Sequence, residues 1–335
     1  MYYLGSKAKH ADQILEHVLA ARKNEQPYIE PFVGGGNVLC RVPQSKGRRI
    51  AGDVNQYMIA LLDALGNHDW QPPPTMPESL YYSIRNKPED YEPALVAMAA
   101  IGASFGSMWF GGYVKDERGI SNSRWKASTK AALRDAPGLK GAEFHCCSYD
   151  ALLLPTEPCL IYCDPPYRDT TQYEGAITTI KVGESGGKND WKAVVFWRWC
   201  DEMVDCGHTV FVSEYTSPLA EAYNVPASSE YREAKAEAAR LQTEIRNKDG
   251  TSQQDGVFDY FAEPAEDKSE LRDKLNQINE SLVEQEHSLQ SQRQRLADRW
   301  RVVWEKDVKV NINAVSEIDT KIKQKTEKLF MRMPE

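Results

Sequence analysis

Tyr28-Ile29-Glu30-Pro31-Phe32-Val33-Gly34-Gly35-Gly36-Asn37 opens on a short β-type run and ends in three successive glycines ahead of a helical pattern. Glycines at that point let the backbone approach a ligand closely at the carboxyl edge of a sheet, as nucleotide-like cofactors require. The loop lacks the G-x-G-x-x-G spacing of a dinucleotide fingerprint, so it takes its meaning from the motifs downstream in the chain. Outward from it the chain alternates short β-type runs with helical patterns, which predicts an α/β sheet with helices on its faces. Strands are expected over 28–29 leading into Phe32, then 49–52, 143–147, 159–163 and 209–213, with a last pair at 300–313 and 327–331. Helices are expected over 8–21, 56–65, 92–105 and 191–205.

The chain has 335 residues, with 41 Lys plus Arg against 49 Asp plus Glu and a formal charge of -8. That length suits one large domain plus a further module. The longest apolar stretch, 94–105, falls far short of the roughly 20 residues that cross a bilayer. No signal-peptide pattern is visible, so membrane and secreted readings drop out. Seven cysteines (Cys40, Cys146, Cys147, Cys159, Cys163, Cys200 and Cys206) show no C-x-x-C pair and read as reduced, buried thiols of an intracellular protein. The six histidines are scattered without H-E-x-x-H, so no metal site is expected. The acidic total counts mildly against a nucleic-acid partner.

Pro72, Pro73, Pro74 and Pro77 read as a linker into a subdomain of about 70–141. At Pro226 the composition shifts. Tyr231, Ala234, Ala238, Leu241 and Ile245 keep a heptad spacing, as do Leu271, Leu275, Ile278, Leu282, Leu289 and Leu296, with Gln285 and Gln292 as polar breaks. Residues 226–298 are therefore expected to form an antiparallel, coiled-coil-like helical hairpin inserted into an α/β domain of 1–225 and 299–335. Phe258, Tyr260 and Phe261 fall near its tip. A homodimer seam is the favoured role, followed by an arm along DNA and a docking site for another protein. The hairpin holds 16 acidic and 10 basic residues, leaving 33 and 31 for the remainder, so most of the acidity lies in the insertion.

Ile161-Tyr162-Cys163-Asp164-Pro165-Pro166-Tyr167 is a buried strand ending in Asp-Pro-Pro-Tyr. Two prolines stop the strand and remove two backbone donors, so the Pro165 carbonyl can face a ligand beside the Asp164 carboxylate. Two acceptors and a following aromatic suit an amino group on a flat ring, with Tyr167 stacking on it. In Ile50-Ala51-Gly52-Asp53-Val54-Asn55 an acid stands 17 positions after Gly36, placed to bind ribose hydroxyls. Tyr3-Leu4-Gly5-Ser6-Lys7 lies ahead of all of these.

In these four segments and their order the chain resembles the Dam-type DNA adenine methyltransferases, and in particular their phage and prophage members. The resemblance covers roughly 1–225 and 299–332 and implies a Rossmann-like class I methyltransferase sheet with helices on both faces. It implies transfer of a methyl group from S-adenosylmethionine, leaving S-adenosylhomocysteine, to the 6-amino group of an adenine flipped out of double-stranded DNA. The sulfonium methyl is already activated, so no metal is needed. By the same likeness Asp164, Pro165, Pro166 and Tyr167 are catalytic. Tyr3, Gly5, Lys7, Glu30, Pro31, Phe32, Gly34, Gly36, Asp53, Asn55 and Asp164 hold the cofactor. Ser148 and Tyr149 stand where many relatives carry an acid that meets the cofactor's adenine.

The stretch 104–113, Ser-Phe-Gly-Ser-Met-Trp-Phe-Gly-Gly-Tyr, resembles the family's aromatic segment near the flipped base, and Phe211-Val212-Ser213-Glu214-Tyr215 its strand after the catalytic helix. Trp109, Tyr113, Lys115, Arg118, Arg124 and Lys126 are the DNA-binding candidates, in a basic stretch that continues through Lys130, Arg134 and Lys140. Another basic stretch is Lys321, Lys323, Lys325 and Lys328, and a polar run over 183–190 reads as a lid. The cytoplasm of a bacterial or phage-infected cell is the implied location. The competing functions are an RNA adenine methyltransferase and a DNA-binding scaffold that has lost catalysis.

Overall fold

The computed structural model describes residues 1–3, 5–115, 123–166, 193–215, 228–250, 269–310 and 323–334. Tyr167, Arg118, the run 183–190, the hairpin tip with Phe258, Tyr260 and Phe261, and Lys321 lie outside the described residues.

The strands are β1 (Tyr28–Glu30), β2 (Arg49–Asp53), β3 (Glu143–Cys146), β4 (Leu160–Cys163), β5 (Thr209–Glu214), β6 (Arg301–Val310) and β7 (Lys323–Arg332), in the order β3-β2-β1-β4-β5-β7-β6. β1 pairs in parallel with β2 on one side and β4 on the other, β3 and β5 continue the parallel set, and β7 joins β5 antiparallel with β6 outside it. β4 (LIYC) and β5 (TVFVSE) are buried at every position, the pattern of central strands covered on both faces. This is the mixed α/β, Rossmann-like sheet expected from the sequence.

Helix α1 (Ala11–Ala20) buries Ala11, Ile14, Leu15 and Val18, one face at helical spacing. The expected helix over 8–21 is divided: a 3-10 turn, Lys7–Lys9, precedes α1, and His10 at the join makes no capping bond with its side chain. In α2 (Gln56–Asn67) Asn55 caps the first turn by accepting from the Tyr57 and Met58 N–H groups at 3.1 and 3.2 Å.

The region read as a subdomain holds α3 (Glu78–Asn86), α4 (Pro93–Gly102) and α5 (Ser123–Leu139). Both α4 and α5 pack on α2, and Tyr81, Met98, Trp125 and Ala132 belong to the same core as Leu61 and Leu62. The apolar run of 94–105 is thus a core helix and the turn after it. No helix among the described residues is long and apolar enough to cross a membrane.

The cysteine reading needs correction in part. Cys159, Cys163 and Cys200 are buried, but Cys146 at the end of edge strand β3 and Cys206 after α6 (Ala193–Asp205) are exposed. All seven are free.

The chain divides into two units, Met1–Ser217 with Trp300–Glu335, and Pro218–Arg299. In the second, α7 (Ser229–Gly250) packs on α8 (Ser269–Ala297). Tyr231 donates to Glu286, and Lys274 pairs with Glu237 at 2.8 Å. Partners that descend along α8 as they ascend along α7 define an antiparallel pair. Leu271, Leu275, Ile278, Leu282, Leu289 and Leu296 are half-buried along α8, with exposed residues between them.

In the first unit the terminal β6–β7 hairpin is tied to α6 through Asp201. The buried Arg332 pairs with that carboxylate, and the Trp300 indole N–H donates to it at 3.1 Å. Asp201→Ala leaves a buried guanidinium whose remaining carboxylate contact among the described residues is the longer one to Asp205, 3.4 Å. We expect a loss of about 3 kcal/mol, measured by urea unfolding of the two chains side by side.

Candidate active site

The parallel strands end at one edge, and β1, β2 and β4 each deliver a motif there. After β1 the chain turns through Gly34 and Gly36, both at positive φ (+47° and +65°), a region that suits glycine. Tyr3 packs over this loop so tightly that a Cβ on Gly35 would lie 2.7 Å from Tyr3 Cβ. A Cβ on Gly36 would meet Leu62 at 2.9 Å. Part of the close approach expected of a ligand is therefore made by the chain itself.

At the end of β2 the Asp53 carboxylate is held at both oxygens. Gly34 N–H donates to Oδ2 and Asn55 N–H to Oδ1, each at 2.9 Å. Burial raises the pKa of this carboxyl, and the backbone donors pull against that rise. A carboxylate has about four lone-pair directions, so two bound oxygens still have capacity for ligand hydroxyls.

At the end of β4, Asp164 is one-fifth exposed, Pro165 is buried and Pro166 is exposed. The Lys7 ammonium lies 2.8 Å from Asp164 Oδ1 and 3.4 Å from Glu327 Oε1. Gly5 at φ +76° and the Ser6 hydroxyl, which accepts from Ala8 N–H at 3.1 Å, turn the N-terminal run so that Lys7 points inward. Burial pulls the Lys7 pKa down, but Asp164 and Glu327 more than offset it, so the net shift is upward and the ammonium stays charged. Glu327 arrives from β7, one residue beyond the last β5–β7 rung, Glu214↔Lys328. Glu214 is buried beside it in sequence register, and Tyr215 is an electrostatic neighbour of Lys7, Asp164 and Glu327.

Phe32 and Tyr149 stack with ring centres 5.3 Å apart and planes 26° from parallel, and Phe196 and Trp199 of α6 meet Tyr149 edge-on. Ser148 donates to Asp150, so the acid near this patch is Asp150, which the sequence reading passed over.

Several expected site residues have other work in the structure. Glu30 is 2% exposed and accepts from the Tyr28 hydroxyl at 3.2 Å, beneath the loop rather than open to a ligand. The Asn55 Oδ1 caps α2. The guanidinium of Arg124 lies 4.4 Å over the Tyr2 ring and donates to Ser107, so it braces the fold, whereas Lys126 and Lys130 on α5 are exposed. Lys115 is exposed and pairs with Glu78 at 2.8 Å.

The aromatic segment 104–113 is a closed turn. Ser104 bridges to Tyr113, Phe105 N–H donates to the Gly112 carbonyl at 2.9 Å, and the Tyr81 hydroxyl meets Ser104 Oγ at 2.7 Å. Trp109 is half-buried near Tyr57, and the Tyr113 hydroxyl donates to the Met76 carbonyl at 2.7 Å. Phe105, with 65% of its surface exposed, is the ring this turn presents outward.

Glu327 and Tyr215 were not foreseen as site residues. Tyr215 ends the stretch 211–215 that the sequence marks as a family-like strand, whereas the only signal for Glu327 was a place on β7, and its contact with Lys7 spans almost the whole chain. Among the described residues no group of His, Cys, Asp and Glu is arranged to hold a metal ion.

Burial pushes the Glu30 carboxyl well above the usual range, and the Tyr28 hydroxyl bond only partly counters it. A carboxyl raised on folding binds more protons in the native than the unfolded state, so its contribution to stability falls as pH rises through the ordinary carboxylate range. Glu30→Gln should therefore be more stable than the parent at about pH 7.5, with the gain vanishing near about pH 4. Thermal melts across that range check the sign.

No curated protein matches the chain. Residues 3–93, the stretch that holds Lys7, the glycine loop and Asp53, match the family model described as D12 class N6 adenine-specific DNA methyltransferase.

Proposed function

We propose that this chain transfers a methyl group from S-adenosylmethionine directly to the 6-amino group of an adenine turned out of duplex DNA. The observation that carries the reading is the convergence of Asp53, the glycine loop and the Asp164–Pro165 pair on one carboxyl edge of the sheet. The donor set fits the cofactor: a carboxylate anchored by two N–H groups for ribose hydroxyls, and the Phe32–Tyr149 stack as an apolar wall for a purine. When bound, S-adenosylmethionine supplies an activated methyl group and a neutral thioether leaving group.

The protein's own part is to present the amine. Asp164 and the Pro165 carbonyl accept its two N–H bonds, which favours a pyramidal nitrogen whose lone pair can form the new N–C bond. The positive charge that grows on nitrogen faces the Asp164 carboxylate, and one N–H proton then passes to solvent. Tyr167 is proposed to stack on the base.

For duplex binding, exposed Phe105 and the α5 lysines are the proposed contact surface. The hairpin of 226–298 is proposed as an arm of the same chain. A homodimer seam would need a second apolar face, and outside the half-buried stripe α8 shows, among the described residues, one large exposed hydrophobic, Val283.

Asp164→Ala should abolish transfer of labelled methyl groups to unmethylated DNA while binding of S-adenosylmethionine, followed by calorimetry, is retained. Lys126→Glu combined with Lys130→Glu should weaken duplex affinity at least about tenfold and lower the salt slope by roughly 2, read by fluorescence anisotropy at several salt concentrations.

A further inference from the structure

The second basic stretch of the sequence falls, in its described part, on β7 as Lys323, Lys325 and Lys328, and the strand register divides it. The last rung between β5 and β7 is Glu214↔Lys328. β6 and β7 stay paired beyond it, through Lys306↔Glu327, Asp307↔Thr326, Val308↔Lys325, Lys309↔Gln324 and Val310↔Lys323. At roughly 3.4 Å per residue this two-stranded ribbon runs on for about 15 Å. Because β5 is parallel to β4 and ends at Glu214, the overhang lies at the carboxyl edge of the sheet, the edge at which Asp164 follows β4.

Successive strand positions alternate between the two faces of a ribbon. Leu329 belongs to the core that also holds Ile14, Leu62, Trp125 and Ala132. Glu327, two positions earlier, is on the same face, with its carboxylate at Lys7. Positions 325 and 323 continue that face on β7, and position 306 stands opposite Glu327 on β6. The face therefore carries three lysine positions, Lys306, Lys323 and Lys325, and its acid, Glu327, is engaged by Lys7. The other face begins at Phe330 against Trp197 of α6 and sets Glu305 and Asp307 beside Lys328 and Lys309. What reads in sequence as one basic run is thus an overhang that is basic on one face and balanced on the other.

We infer that the Lys306, Lys323 and Lys325 face of this overhang is a second DNA-contact surface, which holds phosphates of the duplex on one side of the target adenine. This rests on the DNA reading proposed above. A polyanion is the partner that such a face fits. β7 is two strands from β4, about 10 Å across the sheet and so roughly three base-pair steps along a duplex. A duplex whose target base enters at Asp164 passes the overhang within one helical turn. Helix α5 covers the same face of the sheet, with Trp125 and Ala132 in the core that holds Leu329, so both groups of lysines stand on one side of it.

Lys323→Glu combined with Lys325→Glu should weaken duplex affinity about tenfold or more and lower the salt slope by roughly 2, with kcat at saturating DNA within about twofold. Lys309→Glu combined with Lys328→Glu changes the net charge equally but on the other face, and should alter affinity less than about threefold. Duplexes with the adenine about two base pairs from one end locate the contact: the Lys323 and Lys325 substitutions should matter when the flank is kept on one side and not when it is kept on the other.

An unchanged affinity in the Lys323 and Lys325 variant overturns the inference. So does an equal loss in the two double variants, which would be a response to net charge alone, and so does a penalty indifferent to which flank is kept. If the parent chain binds no duplex DNA, the reading of its substrate fails and the inference falls with it, whereas binding by the parent with no loss in the variant overturns the inference alone.

Discussion

The parallel pairing of β1 with both β2 and β4 is the constraint on which the site depends. β1 has three residues, all buried, and it sits where the strand order reverses, with β2 and β3 running outward on one side and β4 and β5 on the other. Loops that leave adjacent strands at such a point diverge to opposite faces and open a crevice. The glycine loop, Asp53 and Asp164 are brought together by this geometry although they span more than a hundred residues of sequence. A slip of one residue in β1 would turn Tyr28 and Glu30 away from their present face and misplace the loop after them.

Within that crevice the decisive charge is Lys7. A buried ammonium is tolerable only with close carboxylates, and Asp164 from the end of β4 and Glu327 from β7 supply them. Glu30, buried nearby and bonded to Tyr28, is held in a different state: its raised pKa keeps it toward the neutral form, which limits the negative charge beneath the loop.

Local chemistry made the strand ends legible in sequence. Prolines that halt a strand, successive glycines and an acid at a fixed remove are readable because each acts on its own few residues. Long-range partnership was not readable. Nothing in the residues around Glu327 distinguishes it from other acids of a terminal strand, and Asn55 reads equally as a ligand contact or a helix cap until α2 is seen to begin one residue later. Arg124 looked like a phosphate contact because it lies in a basic stretch, but its guanidinium is engaged by Tyr2 and Ser107. The inward face of α5, built from Trp125, Ser128, Ala131, Ala132 and Leu139, is small and partly polar, so its helical period is faint. Cys146 escaped the buried class because β3 is an edge strand.

The acidic total has a meaning only once it is divided. Residues 226–298 carry a net -6 of the -8, whereas the exposed α5 lysines belong to the other unit. Repulsion of a polyanion falls off within about 10 Å in ordinary salt, so the overall sign says little about any one surface. What the insertion must not do is disturb the strands on either side of it. Loop-closure cost grows only slowly with length, and both ends are secured: β5 by its pairing with β4, and the returning hairpin by β7 on β5 and by Arg332 and Trp300 on Asp201. The same clamp that makes a long excursion tolerable also fixes the backbone of Glu327, so anchoring the insertion and completing the charge set around Lys7 are one structural solution.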